Sequence, residues 1–260
     1  MNDNRGYVPP DYLEATARLV SPIKARSYQL MDLAPGARIA DFGCGIGVDV
    51  LQLARLVGST GEVTGIDSDP AMIEQAQKYC GQQGGIAKIR FDCMTSDAIP
   101  NPDGHFDACR SERMFQHLDK PANTLAEMCR VTRRGGRVVV LDTDWGTMSV
   151  DSAYAETERL LANFKATRSL RNGFAGRGLP ALFRANLMRD VVIEVLPLQS
   201  TSYDVVRYAC NFSDMEQRAL TTGLVTQVQL DRHNDSLREA DAAGRFFGSV
   251  CMILVAGVVG

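Results

Sequence analysis

The chain has 260 residues, 45% of them hydrophobic, with 28 basic against 31 acidic residues and a net charge of −3. This is the size of one large domain or a domain with a cap, and the balanced charge argues against a nucleic-acid or anionic-membrane surface. No run of the roughly 18 apolar residues that a spanning helix needs occurs, and Met1-Asn-Asp-Asn-Arg-Gly lacks the apolar centre of a signal peptide, so a cytoplasmic location is expected.

The first ten residues are polar and end in Pro9-Pro10, which predicts a loose arm. Asp11 can cap a helix through Leu13, Ala17 and Val20, and Pro22 separates it from a second helix over about 23–33. Arg38 to Phe42 reads as a strand, followed by a glycine turn at Gly43, Gly45 and Gly47 and a helix that starts near Ile46 and ends at Gly58. A second strand ends at Asp67, and Asp69-Pro70 opens a helix that runs to about Cys80. Lys88 to Cys93 is a third strand and His105 to Cys109 a fourth. Asp119-Lys-Pro starts a helix that Arg133-Arg-Gly-Gly136 closes, and Arg137 to Asp142 is the fifth strand. Strands and helices alternate up to this point, so the sheet is mostly parallel.

Beyond it, 152–170 is helical, with Tyr154, Leu160, Leu161 and Phe164 on one side and charges on the other. Asn172 to Gly178 is a glycine-rich break without the Lys-Ser/Thr ending of a phosphate loop, and Leu179 to Leu187 is helical again. Val191 to Leu198 is a sixth strand, 204–244 is mainly helical, and Val250 to Val259 is a final apolar strand. The domain organisation expected is an N-terminal helical lid (1–34), a core (35–145), a cap inserted over an acceptor pocket (146–190), and C-terminal strands and helices (191–260). The seven cysteines are scattered without a C-x-x-C pair, which fits reduced thiols better than disulfides or a metal site.

The glycine turn organises the chemistry. Its residues let the backbone approach a ligand closely, and the helix behind it offers unpaired N–H groups. Asp41 beside the turn repels a pyrophosphate and attracts an ammonium. Val48 stands where a dinucleotide-binding G-x-G-x-x-G would need glycine. Asp67, 20 residues after Gly47, is placed to take both hydroxyls of a ribose. The site therefore suits an amino acid joined to a nucleoside.

Asp41-Phe-Gly-Cys-Gly-Ile-Gly47 and Gly65-Ile-Asp67 resemble the first two motifs of the class I S-adenosylmethionine-dependent methyltransferases, in particular the small-molecule branch that includes the ubiquinone/menaquinone methyltransferases. The resemblance runs from about Leu30 to the C-terminus. It implies a Rossmann-like, seven-stranded, mostly parallel α/β sheet with helices on both faces, its last strand antiparallel between strands five and six. It implies S-adenosyl-L-methionine as cofactor, S-adenosyl-L-homocysteine as product, and cofactor contacts from Asp41, Gly43, Cys44, Gly45, Gly47, Asp67, Ser68, Ser96, Asp97, Ala98, Arg110 and Ser111. Asp97 matches the residue that binds the adenine amino group, with a simple Asx-turn as the other reading. The lid would bring Tyr7, Tyr12, Tyr28 and Gln29 toward the ligand, with a helical pair packed on the sheet edge as the other reading.

Methyl transfer from a sulfonium is an in-line displacement, so alignment and exclusion of water come first. A base is needed only for an acceptor that keeps a proton at neutral pH. Of the three histidines only His117 falls near the reacting end of strand four, as a catalytic base or as a structural residue. Glu112, Arg113, Asp144 and Trp145 are further candidates, Trp145 either stacking on a flat acceptor or packing in the core. The expected reaction is methylation of an O, N or C atom of a small metabolite or natural product. A cyclase of the same fold, or a non-catalytic cofactor-binding partner subunit, stays open, and so does a homodimer.

Overall fold

The computed structural model describes residues 20–81 and 87–260. The N-terminal arm, the helix capped by Asp11, Tyr7 and Tyr12 lie outside them.

A helix α1 (Ser21–Leu30) precedes β1 (Arg38–Phe42). Then come α2 (Val48–Val57), β2 (Glu62–Asp67), α3 (Pro70–Gly81), β3 (Lys88–Cys93) and β4 (Phe106–Glu112). After β4 a 3-10 turn (Phe115–His117) leads to α4 (Pro121–Val131) and β5 (Thr132–Val150). The second half comprises α5 (Ala155–Phe164), a π-helical turn (Lys165–Ser169), α6 (Ala175–Ala185), β6 (Arg189–Ser200), α7 (Tyr203–Ala209), α8 (Phe212–Thr221), α9 (Gln227–Ala242) and β7 (Gly248–Val258). The sheet has seven strands in the order β3-β2-β1-β4-β5-β7-β6. The first five are parallel, and β7 runs antiparallel to β5 and β6.

Local chemistry accounts for these elements. Val50, Leu53, Ala54 and Val57 recur at helical spacing on α2 and are fully buried. Asp69 caps α3 by accepting the Ala71 N–H at 2.8 Å, with Pro70 at its first position. Thr226 and Gln229 form a reciprocal capping box on α9. The central strands are apolar on both sides, as in β5 from Val138 to Leu141, because helices cover both faces. One face packs α1, α2 and α3 against the sheet, and the other packs α4 and α6. A third apolar cluster joins α5 to α7, α8 and α9 through Trp145, Leu161, Phe164, Phe212 and Met215.

The organisation departs from the expected one after strand five. The strand continues through 146–150, where Ser149 and Val150 pair with Ser249 and Gly248, so those residues belong to the sheet. The glycine-rich break is partly helical, since Gly176 and Gly178 lie inside α6. That helix packs on β5 and β7 and is a sheet helix. The elements over the strand ends are α5, the π turn, and α7 to α9. On α5, Leu161 and Phe164 face inward, whereas Tyr154 and Leu160 are exposed. Among the described residues no helix is long and apolar enough to cross a membrane.

Gly176 sets how closely α6 meets the sheet. A Cβ there would lie 2.9 Å from the Asp142 carbonyl oxygen, 2.9 Å from Ile253 Cγ1 and 3.0 Å from the Asp144 nitrogen. Alanine improves helix propensity by about 1 kcal/mol, but forcing the helix off a packed sheet costs ~1–3 kcal/mol. Gly176→Ala is therefore expected to lower the urea midpoint. An unchanged or higher midpoint would mean that the contact yields easily.

Candidate active site

Order reverses between β1 and β4, the position where open α/β sheets bind ligands at the carboxyl ends of their strands. A cavity of about 820 Å³ opens there and extends under the cap helices. It is bordered by Gly43, Cys44, Gly45, Asp67, Ser68, Ser96 and Asp97 at one end, and by His117, Trp145, Lys165, Ser169 and Asn211 at the other.

The glycine loop is held by its own amides. Gly43 and Cys44 donate to the Ile66 carbonyl at 2.8 and 3.0 Å, and Gly47 donates to Cys44. Gly45 donates to Asp67 Oδ2 at 2.9 Å, and Asp69 donates to Asp67 Oδ1 at 3.0 Å. These N–H groups are thus spent inside the loop instead of pointing at a ligand. Gly43 sits at φ +73° with Met114 only 2.8 Å from where a Cβ would stand, so a side chain is barred twice. Burial pushes the Asp67 carboxyl up, against the pull of the two amides. Its remaining lone pairs can accept from hydroxyl donors.

Five of the expected contact residues do not border the cavity: Asp41, Gly47, Ala98, Arg110 and Ser111. Gly47 is the left-handed cap of α2, packed against Ala76, Cys80 and Phe91. Strand β4 runs to Glu112, three residues past its expected end at Cys109, so Arg110 and Ser111 lie fully buried within the sheet. The strand reaches the cavity only at Glu112 and Arg113. Asp41 pairs in register with Arg110 on β4, and the two side chains share one face.

Asp41, Arg110 and their neighbours form a buried charge cluster beneath the loop. Arg110 contacts Glu112 at 2.6 Å, Asp41 at 3.3 Å and Asp49 at 3.4 Å, and donates to Ser27 Oγ at 3.1 Å. Lys24, from α1, bridges Asp49 at 2.7 Å and Glu112 at 3.2 Å. The Tyr28 hydroxyl also donates to Asp49. Burial pulls the Asp49 carboxyl up, but Arg110 and Lys24 more than offset it and hold it below the usual range. Burial raises Asp41, only partly opposed by Arg110. Three carboxylates thus share the cations Lys24, Arg110 and Arg113, and burial works most against the charge of Asp41. Sequence reasoning missed Lys24 and Asp49 because their meaning depends on α1 docking under the loop.

Under the cap, Asp142 organises the 3-10 turn. It accepts the Gln116 N–H at 3.2 Å and the Thr143 N–H at 2.7 Å. Gln116 in turn accepts from Trp145 Nε1 at 2.6 Å. The Lys165 ammonium sits 4.6 Å over the Trp145 ring. That indole borders the cavity, bonded at its nitrogen and covered on one face by the Lys165 ammonium. His117 borders the cavity as expected, with Nδ1 sealed and without a hydrogen-bond partner among the described residues. Burial lowers its pKa to about 4, helped by Lys165, Arg113 and Arg171, so the ring is neutral at ordinary pH.

Burial also pushes Asp142 up to about 7. Between its ordinary value near 4 and 7, the folded chain keeps a proton that the unfolded chain releases. That contribution to stability is fully present below pH 4 and is lost as pH rises through 7, by up to about 4 kcal/mol. Asp142→Asn carries no charge at any pH. Denaturation across pH 4–8 should show a flatter decline for the variant than for the native chain. Parallel curves would mean that Asp142 is ionised throughout.

Comparison with known proteins agrees with this architecture. Residues 39–136 match the family model described as a methyltransferase domain. The chain is 32% identical over 256 residues to an uncharacterised 37.1 kDa protein of a Streptomyces fradiae transposon, a match covering 95% of this chain and 71% of that one. It is 32% identical over 107 residues to the ubiquinone/menaquinone biosynthesis C-methyltransferase UbiE of Erwinia tasmaniensis, covering 41% of this chain and 43% of that protein. In fold it resembles a crystal structure described as a putative methyltransferase from Bacillus halodurans, with a TM-score of 0.62, 15% identity, and coverage of 90% and 97% of the two chains. The glycine loop tied to Asp67, the seven-stranded sheet and these matches place the chain in the class I S-adenosylmethionine-dependent methyltransferases.

Proposed function

We propose that this enzyme methylates a small organic acceptor held between the strand ends and the helical cap. The observation that carries the reading is the continuity of one cavity from Asp67 and Asp97 to His117 and Lys165. Its volume lies in the upper part of the ~300–1,000 Å³ range of ligand sites, as suits a cofactor and a small acceptor side by side.

The residues present fit the cofactor. Asp67 takes the ribose hydroxyls, Asp97 the adenine amino group, and Gly43 to Gly45 leave room for the ligand. Bound S-adenosylmethionine supplies a methyl carbon already activated by its sulfonium. The acceptor cap consists of α5, the π turn, and α7 to α9, which exclude water from the reacting end.

His117 meets the acceptor from the 3-10 turn. With its pKa near 4 it is a poor match for a base working at neutral pH, where the best base titrates near the working pH. Its part is to accept a hydrogen bond and orient the nucleophile. The acid limb of turnover that it generates falls near pH 4, and not where an ordinary histidine titrates.

Two measurements test this reading. Asp67→Ala removes an acceptor from two loop amides and from the ribose hydroxyls, and should weaken S-adenosylhomocysteine binding by about 2–4 kcal/mol in calorimetry. Affinity unchanged within error would remove Asp67 from the site. For a hydroxyl acceptor, His117→Ala should preserve cofactor affinity and cut turnover by roughly tenfold, the loss of one orienting hydrogen bond of about 1.4 kcal/mol. Full activity at every pH would return His117 to a structural role.

A further inference from the structure

We propose that the acceptor binds as an oxygen anion whose counter-ion is the Lys165 ammonium, presented to the cavity by the π-helical turn. This rests on the methyl-transfer reading above and names the class of acceptor.

The first observation is geometric. Lys165 is 5% exposed and borders the cavity. Among the described residues its ammonium makes no ion pair or hydrogen bond, and its one close partner is the Trp145 ring. Every other buried or half-buried cation bordering the cavity is committed. Lys24 is held by Asp49 and Glu112, Arg113 lies 3.2 Å from Glu112, and Arg171 lies 2.9 Å from Asp119. Arg218 donates to the carbonyls of Ser169 and Arg168 at 2.9 and 2.7 Å, with Asp214 at 3.6 Å. A buried charge without a partner is strongly unfavourable, so a fold that keeps one beside a cavity leaves room for an anion there.

The second observation is the local backbone. The five residues Lys165–Ser169 form a π turn at the end of α5. Such insertions are frequent at functional sites. Lys165 follows Leu161 by four residues and shares its inward face, and Ser169 in the same turn has its Oγ buried without a hydrogen-bond partner among the described residues.

Three groups act electrostatically on Lys165 across this pocket: Cys210, Asp214 and Arg218. Asp214 is half exposed and already faces Arg218, so it compensates only in part. Burial pulls the lysine down to about 8, which leaves it mostly charged at neutral pH. The same positive charge that keeps His117 neutral stabilises an acceptor oxygen in its ionised form. Leu118, Leu170, Leu198, Val250 and Met252 give the cavity an apolar part beside Lys165, so the ligand expected carries an apolar portion and one acidic oxygen. Where that oxygen is itself the nucleophile, its proton leaves to solvent on binding. Its electron pair then forms the bond to the methyl carbon, and the carbon–sulfur pair returns to sulfur, with no proton left to move in the transfer step.

The test uses the full chain saturated with S-adenosylhomocysteine and three probes: benzoate, 4-nitrophenol and benzyl alcohol. Calorimetry should show benzoate and 4-nitrophenolate binding at least roughly tenfold tighter than the neutral alcohol, the effect of a charge-assisted contact of about 1.4 kcal/mol. Benzoate affinity should fall as pH rises through about 8, when the ammonium loses its proton. Bound 4-nitrophenol should develop its phenolate absorption band at lower pH than the free compound. Lys165→Met should abolish all three effects, and Lys165→Arg should retain part of the anion preference. Exchanging an unpaired buried charge for an apolar chain of similar volume should not unfold the protein, and S-adenosylhomocysteine affinity of the variant checks that it is folded. Benzoate tight and 4-nitrophenol weak identifies a carboxylate acceptor, and the reverse identifies a phenolate or enolate. Equal binding of the alcohol and the anions, or anion binding undiminished in Lys165→Met, would overturn the proposal while leaving methyl transfer intact. Failure of the native chain to bind S-adenosylhomocysteine would instead strike at the reading beneath it.

Discussion

Arg110 is the residue on which the cofactor end of this fold depends. Its guanidinium is fully buried and reaches Ser27 of α1, Asp41 of β1, Asp49 of α2 and Glu112 at the end of β4. Four elements that meet under the glycine loop are thus joined through one rigid, permanently charged fork. Such a cluster is weak evidence for stability by itself, since each buried ion carries a desolvation penalty. Its consequence is positional, because it holds α1 against the loop.

The opposite end of the cavity has the reverse electrostatic character. Asp142 and Gln116 hold the 3-10 turn, Trp145 supports Lys165, and the π turn brings that cation into a pocket with apolar walls. One cavity is therefore bordered by Asp49, Asp67, Asp97 and Glu112 near the glycine loop and by the Lys165 ammonium under the cap. The neutrality of His117 follows from this arrangement, because burial and nearby cations both disfavour its charged form.

The two ends also differ in how they are built. The cofactor end is made from strand ends and one short loop, all backed by a sheet packed on both faces. The acceptor end is made from helices that hold one another through a separate apolar cluster at the end of the sheet. A catalytic fold can vary the second without disturbing the first.

The amino-acid sequence by itself determined the cofactor half and the order of the strands. Gly43, Gly45 and Gly47 followed by Asp67 is a local pattern, as are the alternating strands and helices and the caps at Asp69-Pro70 and Pro121. Short-range chemistry decides these features, so they can be read without knowing what lies nearby. Only the tertiary structure decided the rest. β4 continues to Glu112 because β1 pairs with it as far as Ser111 and β5 as far as Glu112, which buries the Arg110 and Ser111 side chains within the sheet. Asp41 meets Arg110 through register between strands distant in sequence. Lys165, a charge in an amphipathic helical stretch, is buried beside Trp145 by the packing of the helices over it. Burial, pairing and charge state depend on groups brought together from distant parts of the chain, and no local pattern of residue types carries that information.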